Sequence, residues 1–376
     1  MRDQRVDKLA EVLVRYSVAV KPGDVVSLVG PPLTEPLVVA LYGEVLRAGG
    51  QPVVLMVPEA CAEELYRHGG PEQLAFVNPL ELREVESVDA TIHASAVLNT
   101  RALTNTDPGK QAVRNRARRG LMDLFLRRAA EKSLRWVFTQ FPCHAAAQDA
   151  EMSLAEYEDF VFTAGMLHGR EPARDWQRLS ERQAHVVDFL HKASELRFVT
   201  PGGTDLRLGV AGRTWINCDG HENFPDGEVF TGPIEDATEG TACFDFPAVH
   251  AGREVQGVRL VFRAGRVVEA RAAKGEAFLL SMLNQDAGAR VLGEVAIGCN
   301  YAVTRYTRNT LFDEKIGGTF HVALGASYPE SGGTNQSGLH WDLVGDLRHG
   351  GRVEADGRLI STDGRFVDAS WPQPDG

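Results

Sequence analysis

Residue types suited to metal ligation recur at alternating positions between Thr319 and Asp346. In Thr319-Phe-His-Val-Ala-Leu-Gly325, an extended chain turns Phe320, Val322 and Leu324 to one side and His321, Ala323 and Gly325 to the other, because strand side chains alternate with a period of two. In the segment Gly338-Leu-His-Trp-Asp-Leu-Val344, Leu339, Trp341 and Leu343 share one side, and His340 and Asp342 take the other. Two upstream pieces repeat the device. Gly293-Glu-Val-Ala-Ile-Gly298 sets Glu294 and Ala296 against Val295 and Ile297, and Gly227-Glu-Val-Phe-Thr231 opens on the carboxylate of Glu228. Small neighbours beside an imidazole or carboxylate leave room for an ion or a substrate. Spacing alone leaves two readings open. A strand histidine is commonly a hydrogen-bonded core residue and a glutamate at a strand start is commonly solvated; recurrence in four segments instead suggests a shared metal site.

Other chemistries are poorly served. His221-Glu222 lacks the second histidine of an HExxH zinc motif, and no GxSxG elbow for a nucleophilic serine occurs. Neither GxGxxG nor GxxxxGK[ST] is present, and Gly30-Pro31-Pro32 lacks the glycines that admit a pyrophosphate, so a nucleotide site is not expected. His221, His250 and His349 read as structural or surface residues, and Asp226, Asp245, Asp313 and Glu314 as neighbours of the site outside the ligand set.

The elements that must position these residues change character along the chain. Residues 1–20 carry Val6, Leu9 and Leu13 at helical spacing among charges, an amphipathic helix and not a signal peptide. Residues 24–29 form a short apolar strand, 33–47 have helical spacing that stops at Gly49-Gly50, and 52–57 are the next strand. A strand–helix–strand unit implies a parallel sheet, which residues 87–95 and 134–140 extend. Residues 110–135 are rich in arginine. Leu121, Leu124, Phe125 and Ala129 form an apolar stripe there, so a packed, solvated helix is favoured over an anion-binding surface. Ser153-Leu-Ala-Glu156 is a capping box, and 175–191 is a further helix. Beyond Ser194, hairpins take over at 196–210 and 255–270, with one helix at 275–285. The expected architecture is a Rossmann-like α/β domain with a mainly parallel sheet over residues 1–194. A β-rich α+β domain over residues 195–376 carries the metal-type ligands.

The 376 residues suffice for two domains, and 43% hydrophobic with 24% charged residues is ordinary for a globular enzyme. A net charge of −11 argues against a nucleic-acid binder. Five scattered cysteines without a CxxC suggest reduced thiols in a cytoplasmic setting, and no apolar run reaches membrane-spanning length.

Five strings carry a family resemblance. Asn223-Phe-Pro-Asp-Gly-Glu228-Val-Phe-Thr-Gly-Pro233, Leu292-Gly-Glu294-Val-Ala296, Leu311-Phe-Asp-Glu-Lys315, His321-Val-Ala-Leu-Gly-Ala-Ser-Tyr328 and Ser337-Gly-Leu-His340-Trp-Asp342 occur in that order. Together they resemble the signatures of the thermophilic metallo-aminopeptidase family of the aminopeptidase T and S type. That resemblance implies two divalent ions (Zn, Co or Mn) held by Glu228, Glu294, His321, His340 and Asp342. It further implies Tyr328 and Glu294 in catalysis, peptide substrates, a two-domain clamshell and a homodimer. Lys315-Ile-Gly-Gly318 departs from the small or polar residues usual before the first histidine strand, which bears on substrate preference. Five monodentate side chains cannot fill two coordination shells, so at least one carboxylate must bridge or bind bidentately and water must complete the site. The expected activity is removal of N-terminal residues from peptides; the alternative is a metal-binding or regulatory protein of the same fold without turnover.

Overall fold

The first helix, Gln4–Val12, starts where the Asp3 carboxylate accepts from Arg5 N at 2.8 Å, and it buries Val6, Leu9 and Val12 before a π-turn at Leu13–Ser17. The computed structural model describes residues 3–374; Met1 and Arg2 of the expected helix, with Asp375 and Gly376, lie outside the described residues. Two compact units emerge: the chain through Ala173 with Gly220–Phe224, and Arg174–Asp219 with the chain from Pro225 onward.

In the first unit β1 (Val25–Gly30), β2 (Gln51–Met56), β3 (Ala90–Ser95) and β4 (Arg135–Gln140) run parallel in the order β2-β1-β3-β4, and the two-residue strand Asn223–Phe224 joins β4. The crossover from β1 to β2 is the helix Glu35–Arg47. Pro36 in its first turn needs no amide partner, and Gly49 at φ +84° supplies the left-handed exit the sequence calls for. The arginine-rich tract is the helix Pro108–Ala130, whose Leu121, Leu124, Phe125 and Ala129 are half-buried. Arg118 pairs with Glu81 at 2.5 Å and Arg128 donates to the Val85 and Val88 carbonyls, so these charges are partly spent within the unit. Three short helices, Ala60–His68, Pro71–Ala75 and Pro79–Ser87, carry a single buried residue, Leu74, between them. That explains why no apolar periodicity announces them. The Ser153 capping box is present, with Ser153 N donating to Glu156 Oε2 at 2.8 Å and Ser153 Oγ accepting from Glu156 N at 3.3 Å.

The second unit has two large antiparallel sheets over one core, with a small two-stranded sheet of Ala248–His250 and Arg253–Val255 beside them. An eight-stranded sheet contains the expected hairpins Glu195–Val199 with Asp205–Gly209 and Arg259–Arg263 with Arg266–Arg271. The other sheet has five strands: β5 (Ile216–Cys218), β6 (Glu228–Thr231), β7 (Leu292–Gly298), β8 (Thr319–Gly325) and β9 (His340–Asp346), in the order β9-β8-β7-β6-β5. Its inner face supplies Val229, Val295, Ile297, Phe320, Val322, Leu324, Trp341 and Leu343 to the cluster that also holds Phe198, Leu206, Leu208, Leu260 and Phe262. Phe198 stacks on Phe320 with centroids 4.7 Å apart. Each such side chain contributes about 1.5–3 kcal/mol by leaving water, which locks which face of the sheet looks inward.

Candidate metal centre

Strand register decides what the outer face presents. Antiparallel pairing sets Glu228 opposite Gly298, His321 opposite Ala296, and His340 opposite Gly325; Ala323 lies between Glu294 and Asp342. Each ligand-type residue therefore has alanine or glycine on at least one side, with Cys218 also opposite Glu228 and Val344 also opposite His321, and the acids and imidazoles converge above the small residues. A bulge between Leu292 and Glu294 bends β7 at the carboxylate. Gly227, at φ +118°, turns the chain into β6, and a Cβ there would stand 2.6 Å from Asn300 Cβ, so only glycine lets Glu228 start its strand so close to its neighbour.

All five sequence-expected ligands come together. The two oxygens of Glu294 are divided between the histidines: Oε1 is 3.2 Å from His321 Nε2, and Oε2 is 3.5 Å from His340 Nε2. Glu228 Oε2 lies 3.5 Å from His321 Nε2, and Asp342 Oδ1 lies 3.6 Å from His340 Nε2. Two donor groups result, Glu228–Glu294–His321 and Glu294–His340–Asp342, each with ligand atoms within 4.8 Å of one another. The backbone fixes one imidazole, since His340 Nδ1 is 2.9 Å from the Ala326 carbonyl, leaving Nε2 for the site. Tyr328 sits edge-on to His340 at 5.1 Å and to Phe230 at 5.6 Å and remains half-exposed at the rim.

Three participants escape the strand pattern. Lys315 is buried with its Nζ 2.5 Å from Glu228 Oε1, 3.0 Å from Glu314 Oε2 and 3.6 Å from Asp226 Oδ1. Glu314 forms a further donor group with His321 and Asp342. Asp226 forms another with Cys218 and Glu228. Glu314 and Lys315 lie in the turn after the helix Thr310–Asp313, where period-two reasoning has no purchase; their signals were the Leu311–Lys315 string and the placing of Glu314 beside the site, neither of which put the Lys315 ammonium among the carboxylates. Asp313 is buried, accepts from Thr307 N at 2.6 Å and Thr307 Oγ1 at 2.9 Å, and lines the recess beside Glu314 and Asp342 without belonging to any of the donor groups. Asp245 accepts from Asp346 N. A recess lined by Pro247, Tyr306, Arg308, Glu314 and Asp342 opens beside the cluster.

The electrostatics call for cations. Burial, and then the neighbouring Glu314 and Glu294, push the Asp342 carboxyl well above the usual carboxylate range. Burial also raises Glu228, against the opposing pull of Lys315. Burial lowers His321, but Glu228 and Glu294 outweigh it and carry the imidazole up. Asp226, Glu228, Glu294, Glu314 and Asp342 thus share one ammonium and two imidazoles. Glu228 Oε2, Asp342 Oδ1 and His321 Nδ1 are buried without hydrogen-bond partners; the contacts of the two oxygens to imidazole are ion-pair distances, too long for well-formed hydrogen bonds. Unspent acceptors among imidazoles and carboxylates fit a divalent metal ion.

A buried carboxylate–imidazole cluster on one face of an antiparallel sheet defines a class of metal-dependent protein. The chain belongs to the thermophilic metalloprotease (M29) family, whose model matches residues 2–366. Aminopeptidase 2 of Geobacillus stearothermophilus is 28% identical over 384 residues, covering 91% of this chain and 92% of that one. Aminopeptidase T of Thermus aquaticus is 32% identical over 229 residues, 53% of this chain and 54% of that one. Among solved structures, wild-type AmpT from Thermus thermophilus superposes with a TM-score of 0.84 at 25% identity, covering 97% of this chain and 99% of that one. This match carries the expected architecture of a parallel-sheet α/β part and an antiparallel, β-rich remainder. A 2,5-dihydroxypyridine dioxygenase from Pseudomonas putida KT2440 shares the fold alone, with a TM-score of 0.63 at 13% identity over 97% of this chain and 98% of that one.

Proposed function

We propose that this metalloprotease-family chain is a two-metal aminopeptidase that removes N-terminal residues from peptides, its catalytic residues lying within the stretch 195–376. The observation that carries the reading is the division of Glu294, with one oxygen beside His321 and the other beside His340, so that this residue would contribute to both donor groups. Glu228 and His321 would hold one ion, and His340 and Asp342 the other, with zinc, cobalt and manganese all compatible with the donor set. When bound, such a pair supplies an activated water at neutral pH and polarises the scissile carbonyl.

The protein's own groups do the rest. Burial of the sheet face keeps bulk water from the carboxylates. The Ala326 carbonyl holds His340 in one orientation. Tyr328, leaning on His340, has its hydroxyl at the rim, where it would donate to the carbonyl oxygen of the substrate as negative charge develops there. The free α-ammonium of a peptide would be drawn to the carboxylates of Glu314 and Asp342 that line the recess.

The relatives' names, aminopeptidase 2 and aminopeptidase T, accord with this reading. No described helix is long and apolar enough to cross a membrane, and a cytoplasmic enzyme is proposed. A homodimer is proposed as well: β2 is an edge strand whose Val53, Val54 and Met56 are exposed, a surface that invites pairing. The test of function is hydrolysis of aminoacyl amides and short peptides. Activity should vanish on demetallation, return with cobalt or zinc, and be absent on N-acetylated peptides. Equal rates on acetylated and free peptides would point to a different hydrolase, and uptake of ions without turnover would favour a metal-binding or regulatory protein.

A further inference from the structure

The cluster contains a cation that belongs to the chain. Lys315 is 2% exposed, and its backbone is pinned on both sides: Lys315 N donates to Phe312 O at 3.0 Å, and Asn300 N donates to Lys315 O at 3.0 Å. Asn300 also ties this turn to the opposite wall, its Nδ2 donating to Asp226 O at 2.8 Å. The ammonium faces three carboxylates, Glu228, Glu314 and Asp226. Swinging it out would leave those charges buried and unpaired, so it is a fixture of the folded unit.

Glu228 is divided as a result. Oε1 is held by the ammonium at 2.5 Å, while Oε2, without a hydrogen-bond partner, faces His321. An ion on the Glu228 side receives one oxygen from a carboxylate whose charge is already shared, and it sits close to a fixed positive charge. Among the described residues, the ion pairs of Lys315 run to Asp226, Glu228 and Glu314 and not to Glu294 or Asp342, which Lys315 meets only through Glu314. We propose that Lys315 is a resident monovalent cation that makes the two ion positions unequal: Glu294, His340 and Asp342 bind a divalent ion tightly, and Glu228, Glu294 and His321 bind one weakly and exchangeably. This rests on the two-ion reading of the cluster and adds to it an order of filling and the residue that sets it. The positive charge of Lys315 and the oxygen it occupies both act on the same position.

The experiment is a cobalt titration of the demetallated full chain, followed by calorimetry and by the cobalt d–d absorption. Wild type should fill in two steps with dissociation constants about 10²-fold apart or more, the scale expected of one nearby fixed charge in a partly screened site. Lys315→Met should strengthen the weak step by about 10-fold or more and leave the tight step within about 3-fold. Lys315→Gln, which keeps a donor for Glu228 without the charge, should act in the same direction and serves if the methionine variant does not fold. Two equal steps in wild type, or a folded Lys315 variant with an unchanged weak step, would overturn the assignment while leaving a two-ion centre in place. Failure of wild type to take up cobalt at all would instead overturn the reading of the cluster as a metal centre, and the Lys315 assignment with it.

Discussion

Replacing Glu294 by glutamine probes the centre most directly, because this residue faces both histidines. The amide keeps the shape of the carboxylate and one oxygen, but it removes the charge and turns the other position into a donor. On the proposed two-ion reading, the variant would lose an anionic contact to each ion. A hydrogen bond or contact involving a charged group is worth about 1.5–3 kcal/mol, so each ion should bind about 10- to 150-fold more weakly. Bound ions stabilise the folded state by mass action, about 2.7 kcal/mol for an ion at 100 times its dissociation constant. For a unit of this size, about 2–4 °C of melting temperature accompanies each kcal/mol. With both ions in excess the two losses sum to about 3–6 kcal/mol, so the loaded variant should melt about 6–24 °C below loaded wild type at equal free metal.

Without metal the sign should reverse. Glu294 is among the groups that push Asp342 up, because like charges are buried together there. Removing one of them should leave the metal-free variant as stable as metal-free wild type or slightly more so. Differential scanning fluorimetry with and without cobalt, alongside metal analysis by mass spectrometry, reads both arms. A drop of equal size in both arms would refute the reasoning. In that case Glu294 is a structural partner of His321, held by its 3.2 Å contact, and not a metal ligand.

Three further outcomes are expected. Tyr328→Phe should lower kcat about 10²-fold with metal content unchanged, as for loss of one oxyanion donor, and a near-normal kcat would return the ring to packing against His340 and Phe230. Ala323→Leu should abolish metal uptake by filling the space between Glu294 and Asp342, at a cost of about 1–3 kcal/mol in stability from overpacking; full uptake would show that the small residue is incidental. Glu254 is held down at about 2, despite burial, by Lys274, Arg308 and Gln256. A depressed carboxylate stabilises the fold while ionised, so its contribution is complete above its ordinary pKa near 4.5 and is lost as pH falls toward about 2. Glu254→Gln should therefore flatten the fall in melting temperature between those values, and an unchanged acid limb would remove Glu254 from the account.

The ligand face was legible in the sequence because a strand's period of two writes each face as every second residue. His321 with Ala323, His340 with Asp342 and Glu294 with Ala296 could be read as shared faces before any pairing was known. What spacing cannot supply is register. That Ala323 falls between Glu294 and Asp342, and Gly298 beside Glu228, depends on which residues of different strands pair, and this is settled by the apolar side of the sheet. Sliding β8 by one residue would bring His321 into the core and Phe320 out of it. Glu314 was read only as a neighbour of the site, and the ammonium of Lys315 was not foreseen there, because both stand in a turn, where side-chain direction follows local dihedrals and no periodic rule applies. The helices between Ala60 and Ser87 were silent because they bury almost nothing.

Fold and function separate at this sheet. A dioxygenase with 13% identity shares the architecture over nearly the whole chain, so neither the parallel sheet nor the paired antiparallel sheets specify hydrolysis. The distinction has to come from groups on the outer face, a handful of positions on four strands and one turn. The inner face is held by about a dozen apolar side chains, whose combined burial tolerates a crowd of carboxylates a few ångströms away. Those carboxylates repel one another in the absence of ions, so the centre is a place where stability of the empty fold has been given up. Lys315 limits that loss on the Glu228 side, whereas among the described residues no lysine or arginine pairs directly with Asp342. The same imbalance that makes the metal-free site unfavourable is what gives it a demand for divalent charge.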